Sequence, residues 1–451
     1  MPSLPTYSGE FGQAQAERLL WRAGFGPRGA EAQILAAKGF NGAVDHLVNP
    51  PSKDTLVGQA PVAGGAPLAP YAAVGHDHLW WLDRMVRTSR PLIERMTLVW
   101  HDWFATSNET VGNQKLMLAQ NDLFRRGALG SFKGLTMRVT VDPAMLLYLD
   151  GLNSIKGSPN ENYAREMMEI FTLGAGNGYT ERDVREQARA LTGWTANWKN
   201  NVGWVDFHFD GANHDADMKV IFNKPGPFGW EDAIRLCVTH PLHPPYFVNR
   251  LWSYFIPVPP DATTLALLEK LYVNSGFEIR PVVTAILRHP LLYEGPRMVK
   301  SPVLYTAGLL RQRGTRIETA DWVYLDAMAG QQLFYPPNVA GWDATRWLDT
   351  STFQARWLIA RRALQNFAAN PDKPIPAADR PPSDPVKLVD LALAWWGSPA
   401  VSAHTRNALL SYAQTTMAAA IADPNRQKTF PVMVYSALRH LAACCPEMQT
   451  A

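Results

Sequence analysis

Apolar side chains recur along most of this chain at the three- and four-residue spacing of amphipathic helices, and glycine or proline ends many of the runs. The run from Glu17 to Arg22 stops at Gly24, and the run from Ala30 to Lys38 stops at Gly39. This punctuation predicts a mostly α fold, a multi-helix globular bundle with long irregular loops.

Further helices are predicted in the rest of the chain. Two lie between His76 and Ala105, and others cover residues 114–126, 143–148, 159–173, 180–193, 231–239, 245–255, 263–274, 281–288, 301–313 and 319–328, with three more between 386 and 443. Ser158 and Glu161 have capping-box spacing at the start of helix 159–173. A weaker cap at Thr180 opens the next helix, so the two form a helical hairpin.

The length of 451 residues gives a prior of about three domains, but the helical pattern predicts one large unit followed by a smaller one. We expect a main helical domain over residues 1–370, a proline-rich linker over 371–385, and a C-terminal helical segment over 386–451 that packs on the core. Residues 194–230 are rich in glycine, aspartate, histidine and aromatics, and predict an insertion with a short β-hairpin near 203–222.

Composition excludes several classes of protein. The net charge is +3 and charged residues make up 18% of the chain, which argues against nucleic-acid binding by bulk charge. No stretch approaches the ~18 apolar residues of a membrane span. The three cysteines have no CxxC spacing, so no thiolate zinc site is predicted. Without a visible secretory signal, we expect a soluble, cytoplasmic protein, or an exported one if a leader has been removed.

Two carboxylates on helix 159–173 are the first candidate for chemistry. Glu166 and Glu169 stand three residues apart and share a helix face with Asn162, which puts their Cβ atoms roughly 5–6 Å apart. Such a pair can bind a cation or divide general acid and base work. The structural alternative is a salt bridge, for example between Arg165 and Glu169.

Two histidines are the next candidates. His101 lies on an otherwise apolar helix, where it must be hydrogen-bonded or ligated, because an unpaired buried polar group costs roughly 1–3 kcal/mol. His214 and Asp215 lie in a loop of oxygen donors, although turn chemistry alone explains Asn and Asp beside glycine. In both places a purely structural role is the alternative to a metal ligand.

Several long motifs stand out in the sequence. They are Leu98-Val99-Trp100-His101-Asp102-Trp103-Phe104-Ala105-Thr106-Ser107, Asp142-Pro143-Ala144-Met145-Leu146-Leu147-Tyr148-Leu149-Asp150, above all Pro159-Asn160-Glu161-Asn162-Tyr163-Ala164-Arg165-Glu166-Met167-Met168-Glu169-Ile170-Phe171-Thr172-Leu173-Gly174, and Pro336-Pro337-Asn338-Val339 with Gly341-Trp342. With Tyr179 to Val184, Ala188 to Trp194 and His214-Asp215, the chain resembles the bacterial family known as domain of unknown function 1800 over about residues 15–365.

The resemblance implies a helical bacterial protein, often exported and often encoded beside a sulfatase-like partner, with no established reaction. It also implies that polar residues in the matched stretches form a site. We expect His101, Glu166, Glu169 and His214 as metal ligands, and Asp215, Asp183 and Arg189 as catalytic residues. Trp194, Trp204, Trp342 and Asn162 are expected to line a pocket for an aromatic or sugar-like substrate.

Two functions from different classes compete. One is a metal-dependent oxidoreductase or hydrolase that uses Fe, Mn or Zn, because mixed His and carboxylate ligands suit these ions. The other is a non-catalytic accessory or assembly protein for a partner enzyme, in which ion pairs only hold the helices together. Haem binding through His101 is a third, weaker expectation.

Overall fold

The computed structural model describes residues 3–365, 380–421 and 430–451. The described chain forms 23 α-helices and three two-stranded antiparallel sheets, which confirms the predicted mostly α fold.

The helices of the first half are joined by connections of varied length, the longest of them over residues 49–75. They are α1 (Gln13–Ala23), α2 (Glu31–Ala36), α3 (Gly39–Val48), α4 (His76–Arg87), α5 (Pro91–Trp103), α6 (Asn108–Val111), α7 (Gln114–Gly127), α8 (Phe132–Thr140), α9 (Pro143–Tyr148), α10 (Glu161–Glu166) and α11 (Glu181–Ala190). A π-helical segment, Met167–Leu173, continues α10 directly.

The second half is also helical. Its helices are α12 (Trp230–Val238), α13 (His243–Ser253), α14 (Ala262–Asn274), α15 (Ile279–Arg288), α16 (Pro290–Glu294), α17 (Pro302–Arg313), α18 (Asp321–Met328), α19 (Thr350–Leu364), α20 (Pro385–Trp395), α21 (Ala403–Ile421), α22 (Phe430–Cys444) and α23 (Pro446–Gln449). The three helices predicted between 386 and 443 are confirmed, whereas residues 371–379 of the predicted linker lie outside the described residues.

The predicted hairpin is present and larger than expected. Strands β1 (Val62–Ala63) and β2 (Ala66–Pro67) form a small hairpin in the loop before α4. Strand β3 (Trp194–Lys199) pairs with β4 (Gly203–Phe209), and β5 (Lys219–Ile221) pairs with β6 (Lys224–Gly226). The insertion therefore holds two hairpins, and the first begins at Trp194 because its register places Trp194 opposite Phe209.

Two predicted helix boundaries are wrong. The capping box at Ser158 does not form: the side chain of Asn160 accepts from the Tyr163 N–H instead, so α10 begins at Glu161. Asparagine satisfies the same exposed N–H groups as serine, so the nearer residue caps the helix. Gly39 does not end a helical region either, because α3 begins there at a positive φ of 69°.

Two hydrophobic clusters form the core. The first surrounds the aromatic residues of α5 and α8 and extends through α12 to α15. The second joins α4 and α17 to α19 with the described C-terminal helices α20 to α23. Helix α5 contributes to both, with Trp100 and Trp103 in the first cluster and Leu98 in the second. Consequently α5 and the residues beside it occupy the boundary between the two clusters.

Among the described helices, none combines the length and the hydrophobicity that crossing a membrane requires.

Candidate functional site

The residues predicted to be catalytic meet on one face of α11. Arg189 donates to Asp215 from Nε at 2.7 Å and from Nη2 at 3.2 Å, and it also pairs with Glu186 at 3.0 Å. Burial alone would raise the pKa of Asp215, but the bonds from Arg189 outweigh burial and lower it. Asp215 is therefore held as a carboxylate by a bidentate ion pair between α11 and the insertion.

Two other carboxylates of α11 bind the backbone of the insertion. Glu186 Oε2 accepts from the Val220 N–H at 2.8 Å, and Asp183 Oδ1 accepts from the Phe222 N–H at 2.7 Å. Asp183 also completes a capping box with Thr180, as predicted from their spacing. Each carboxylate thus satisfies a backbone donor that the short strand β5 leaves unpaired.

His214 lies beside Asp215, where the insertion contacts Thr192 just after α11. Its Nδ1 is 2.9 Å from the carbonyl oxygen of Thr192, and its ring packs on Phe209 with centroids 5.3 Å apart. The Thr192 hydroxyl in turn accepts from the Asp215 N–H at 2.8 Å. The buried Lys219 donates to the carbonyls of Asp215 and Asp217.

These side chains form one structural unit, which we call the anchor frame. Its members are Asp183, Glu186, Arg189, His214, Asp215 and Lys219. The contacts of Asp183, Glu186, Arg189 and His214 join α11 or Thr192 to the insertion, so the frame fixes the two hairpins on the helical core.

His101 lies in a cage of aromatic rings. Trp81, Trp342, Phe334 and Phe124 surround it, with ring centroids 5.3, 5.4, 5.6 and 6.2 Å away. Its Nε2 is buried and has no hydrogen-bond partner among the described residues. Burial lowers the pKa of His101 to about 3, and no charged neighbour contributes to that shift. The imidazole is therefore neutral, and no carboxylate charge shifts its pKa.

Asp102, the neighbour of His101, connects two of the long motifs. Its Oδ1 accepts from the Trp342 N–H at 2.9 Å, and its Oδ2 accepts from the Tyr254 hydroxyl at 2.5 Å. Gly341 has a φ of 92°, and a Cβ there would lie 2.3 Å from Asp102 Oδ1. Glycine is required at this position because both the backbone angle and the close approach exclude a side chain.

Glu166 and Glu169, in the stretch Pro159–Gly174, lie near each other. Burial and then the charge of Glu169 raise the pKa of Glu166, and Glu166 Oε2 is buried without a hydrogen-bond partner among the described residues. Arg165 lies 3.8 Å from Glu169, as the salt-bridge alternative expected, but it pairs more closely with Glu181, at 2.7 Å. The pair is therefore close together and only partly neutralised.

The π-helical segment Met167–Leu173 binds polar side chains through its backbone. Its wider turns leave some backbone carbonyls without a partner in the helix, and side-chain donors from other helices bind them instead. The carbonyl of Ile170 accepts from the Tyr246 hydroxyl and from Arg250 Nη1, both at 2.5 Å. Trp103 Nε1 donates to the Phe171 carbonyl at 3.1 Å, and His243 Nδ1 lies 2.7 Å from the Thr172 carbonyl.

Sequence reasoning missed the roles of Tyr246 and Arg250. Their spacing of four residues on α13 is a signal for one helix face, but nothing local indicates that this face meets a π-helical segment.

The residues expected to line a substrate pocket lie in different surroundings. Trp194 packs edge to face on Trp230, with centroids 5.8 Å apart, whereas Trp204 packs on Trp198 at 5.3 Å. Trp342 belongs to the cage around His101, and Asn162 is exposed on α10. In residues 3–365, 380–421 and 430–451, no three His, Cys, Asp or Glu side chains are grouped as metal ligands could be.

Comparison with known proteins adds the family. Neither the curated proteins nor the solved structures give a match. The family model described as a protein of unknown function, DUF1800, matches residues 18–450, nearly the whole chain. The motifs that meet around α5, the π-helical segment and Trp342 all lie within this match, and the chain belongs to the DUF1800 family.

Proposed function

We propose that this protein is a non-catalytic accessory protein that binds a partner protein through the β3–β4 hairpin. The observation that carries the proposal is how Asp183, Arg189 and Asp215 are hydrogen-bonded. Arg189 and Asp215 form a bidentate ion pair and Asp183 accepts from the Phe222 N–H, so all three side chains hold the insertion on the core. A rigidly mounted hairpin with exposed aromatic side chains is suited to recognition.

The hairpin presents an apolar surface to solvent. Trp198 is 62% exposed and Trp204 38%, and the exposed side chains of Val202 and Phe209 extend this surface. Trp198 and Trp204 are cross-strand partners whose rings meet at 76°. Because each indole supports the other, little side-chain entropy is lost when a partner covers them.

The chemistry of the hairpin favours an apolar patch on a protein as its partner. Lys199 and Asp206 are the charged residues of β3 and β4, so attraction to a highly charged surface contributes little. Tryptophan is enriched among the residues that dominate binding energy at protein interfaces. The family resemblance implies a sulfatase-like neighbour, which is therefore the first partner to test.

The test is titration calorimetry of the full chain with that partner protein. A Trp198→Ala, Trp204→Ala double variant should weaken binding at least 100-fold while the melting temperature stays unchanged. Tyr71→Ala is the matched control, since Tyr71 is 59% exposed and lies outside the hairpin. Equal affinity of the double variant and the wild type would refute the proposal.

A metal-dependent oxidoreductase or hydrolase is the second candidate function. The unpartnered Oε2 of Glu166 beside Glu169 favours it, because a cation would satisfy that oxygen. Elemental analysis for Fe, Mn and Zn, with an absorption spectrum for haem, tests it. Metal lost in Glu166→Gln but kept in Glu161→Gln would support this candidate, whereas a metal-free, colourless protein after reconstitution would contradict it.

A further inference from the structure

A large cavity lies between α18, α19 and α22, and none of its lining residues belongs to the anchor frame. Its volume is about 910 Å³, within the range of about 300–1,000 Å³ typical of small-molecule sites. Leu325, Leu358 and Leu364 contribute apolar wall, and Tyr324 stands exposed at its edge. The space is therefore large enough and apolar enough to hold a hydrocarbon chain.

The charged groups around the cavity are mainly cationic. Arg361, Arg362 and Arg439 line it, and Asp321 is the carboxylate among the lining residues. Arg362 Nε donates to Asp321 at 2.8 Å, so that carboxylate is already neutralised. The remaining charge on the wall is positive.

Arg361 is the cation available to a ligand. It is exposed, and among the described residues its guanidinium has neither a hydrogen bond nor an ion pair. It lies close enough to His440 to lower the pKa of that imidazole, together with the stronger effect of burial. His440 already bonds the carbonyl of Trp357 through Nε2 at 3.0 Å and carries no charge to compete for an anion.

We propose that this cavity binds a medium-chain carboxylate amphiphile, such as a fatty acid, with its head group on Arg361 and its chain along the leucine wall. The cavity should select the charge of the head group, because an unpaired guanidinium at the edge of an apolar cavity attracts an anion and repels a cation. The exposed side chains of Phe353 and Trp357 on α19 extend the apolar surface beyond the cavity.

Isothermal titration of the full chain with octanoate, decanoate and laurate, each as monomer, tests the proposal. Burying two further methylenes should tighten binding about tenfold at each step. Decyltrimethylammonium, with the same chain length as decanoate and the opposite charge, should bind at least tenfold more weakly. Equal binding of the cation, or no dependence on chain length, would overturn the proposal.

Variants locate the site. Arg361→Glu should weaken decanoate binding at least tenfold, and Leu358→Asp should abolish it. Arg346→Glu is the matched charge reversal, because Arg346 is 75% exposed and does not line the cavity. Loss of binding equal to that in Arg361→Glu would refute the assignment. Sedimentation with anionic phosphatidylglycerol vesicles, without uptake of monomeric carboxylate, would overturn it in favour of a lipid surface.

Discussion

Replacing Asp215 by Asn tests whether the anchor frame is structural. The Asp215 carboxylate accepts from Arg189 at 2.7 and 3.2 Å and from the Asp217 N–H at 3.0 Å. An asparagine keeps one oxygen and turns an N–H₂ group toward the guanidinium. A hydrogen bond to a charged group contributes about 1.5–3 kcal/mol, and one partner lost from a buried pair costs about 3–5.

The expected cost lies at the lower end of that range. Arg189 is a quarter exposed and keeps Glu186, so we expect the frame to open about 3 kcal/mol more easily. Hydrogen exchange of the Val220 and Phe222 amides reports this opening, because both bind carboxylates of α11. About 3 kcal/mol corresponds to roughly 100-fold faster exchange.

Asp217→Asn is the control for this measurement. Asp217 is 69% exposed and lies 3.5 Å from Lys156, so its loss should change the exchange less than threefold. The contribution of Asp215 also depends on pH: its pKa is lowered in the folded state, so the stabilisation is present above about pH 4 and is lost as the pH falls further. Equal exchange in the two variants would refute a structural role for the frame.

Three further variants test other parts of the structure. Gly341→Ala should destabilise the protein by about 2 kcal/mol or more because its Cβ meets Asp102, whereas Gly157→Ala, at a φ of 87° with open space, should cost less; equal melting temperatures would contradict the clash. His101→Phe should reduce the loss of unfolding free energy at acid pH, because the folded imidazole stays neutral down to about pH 3 whereas in the unfolded chain it takes up a proton below about pH 6.5. The difference in unfolding free energy is about 2 kcal/mol at pH 5, measured by urea unfolding. Parallel pH curves of the variant and the wild type would show that burial of His101 is not the cause. Lys300→Met should remove a rise in stability with pH. Burial lowers the pKa of Lys300 to about 7, so between about pH 7 and 10.5 the lysine is protonated in the unfolded chain and not in the folded one. A rise of the same slope in both proteins, measured by urea unfolding at pH 7 and 9.5, would rule this out.

Local signals predicted most of the helices. Proline at the first turn marks α5 and α9, and glycine follows α1 and α17 directly. Six helices were not predicted, namely α3, α6, α8, α16, α19 and α23. Two of them, α8 and α19, begin after Ser131 and Asp349, whose side chains accept from backbone N–H groups as N-cap residues do. The N-cap residues of α8 and α19 were therefore a local signal for both helices.

Local spacing also predicted the proximity of Glu166 to Glu169 and the Thr180 capping box, because both depend on residues within one helical turn. The contact of Asp102 with Trp342 joins residues 240 apart, and that of Arg189 with Asp215 joins residues 26 apart. No periodicity within one segment reports such pairings. The roles of His101, His214, Glu166 and Glu169 as metal ligands stay predictions.

The π-helical segment has a consequence for how the chain acquires its structure during synthesis. Its carbonyls bind Tyr246 and Arg250, which follow Ile170 by 76 and 80 residues. Until α13 has left the ribosome, residues 167–173 have no such donors, and the ordinary α-helical ladder is the state that satisfies them. We therefore expect the segment to emerge as a regular extension of α10 and to change from i→i+4 to i→i+5 hydrogen bonding only when α13 docks, so that this motif is completed after more than half of the chain has been synthesised.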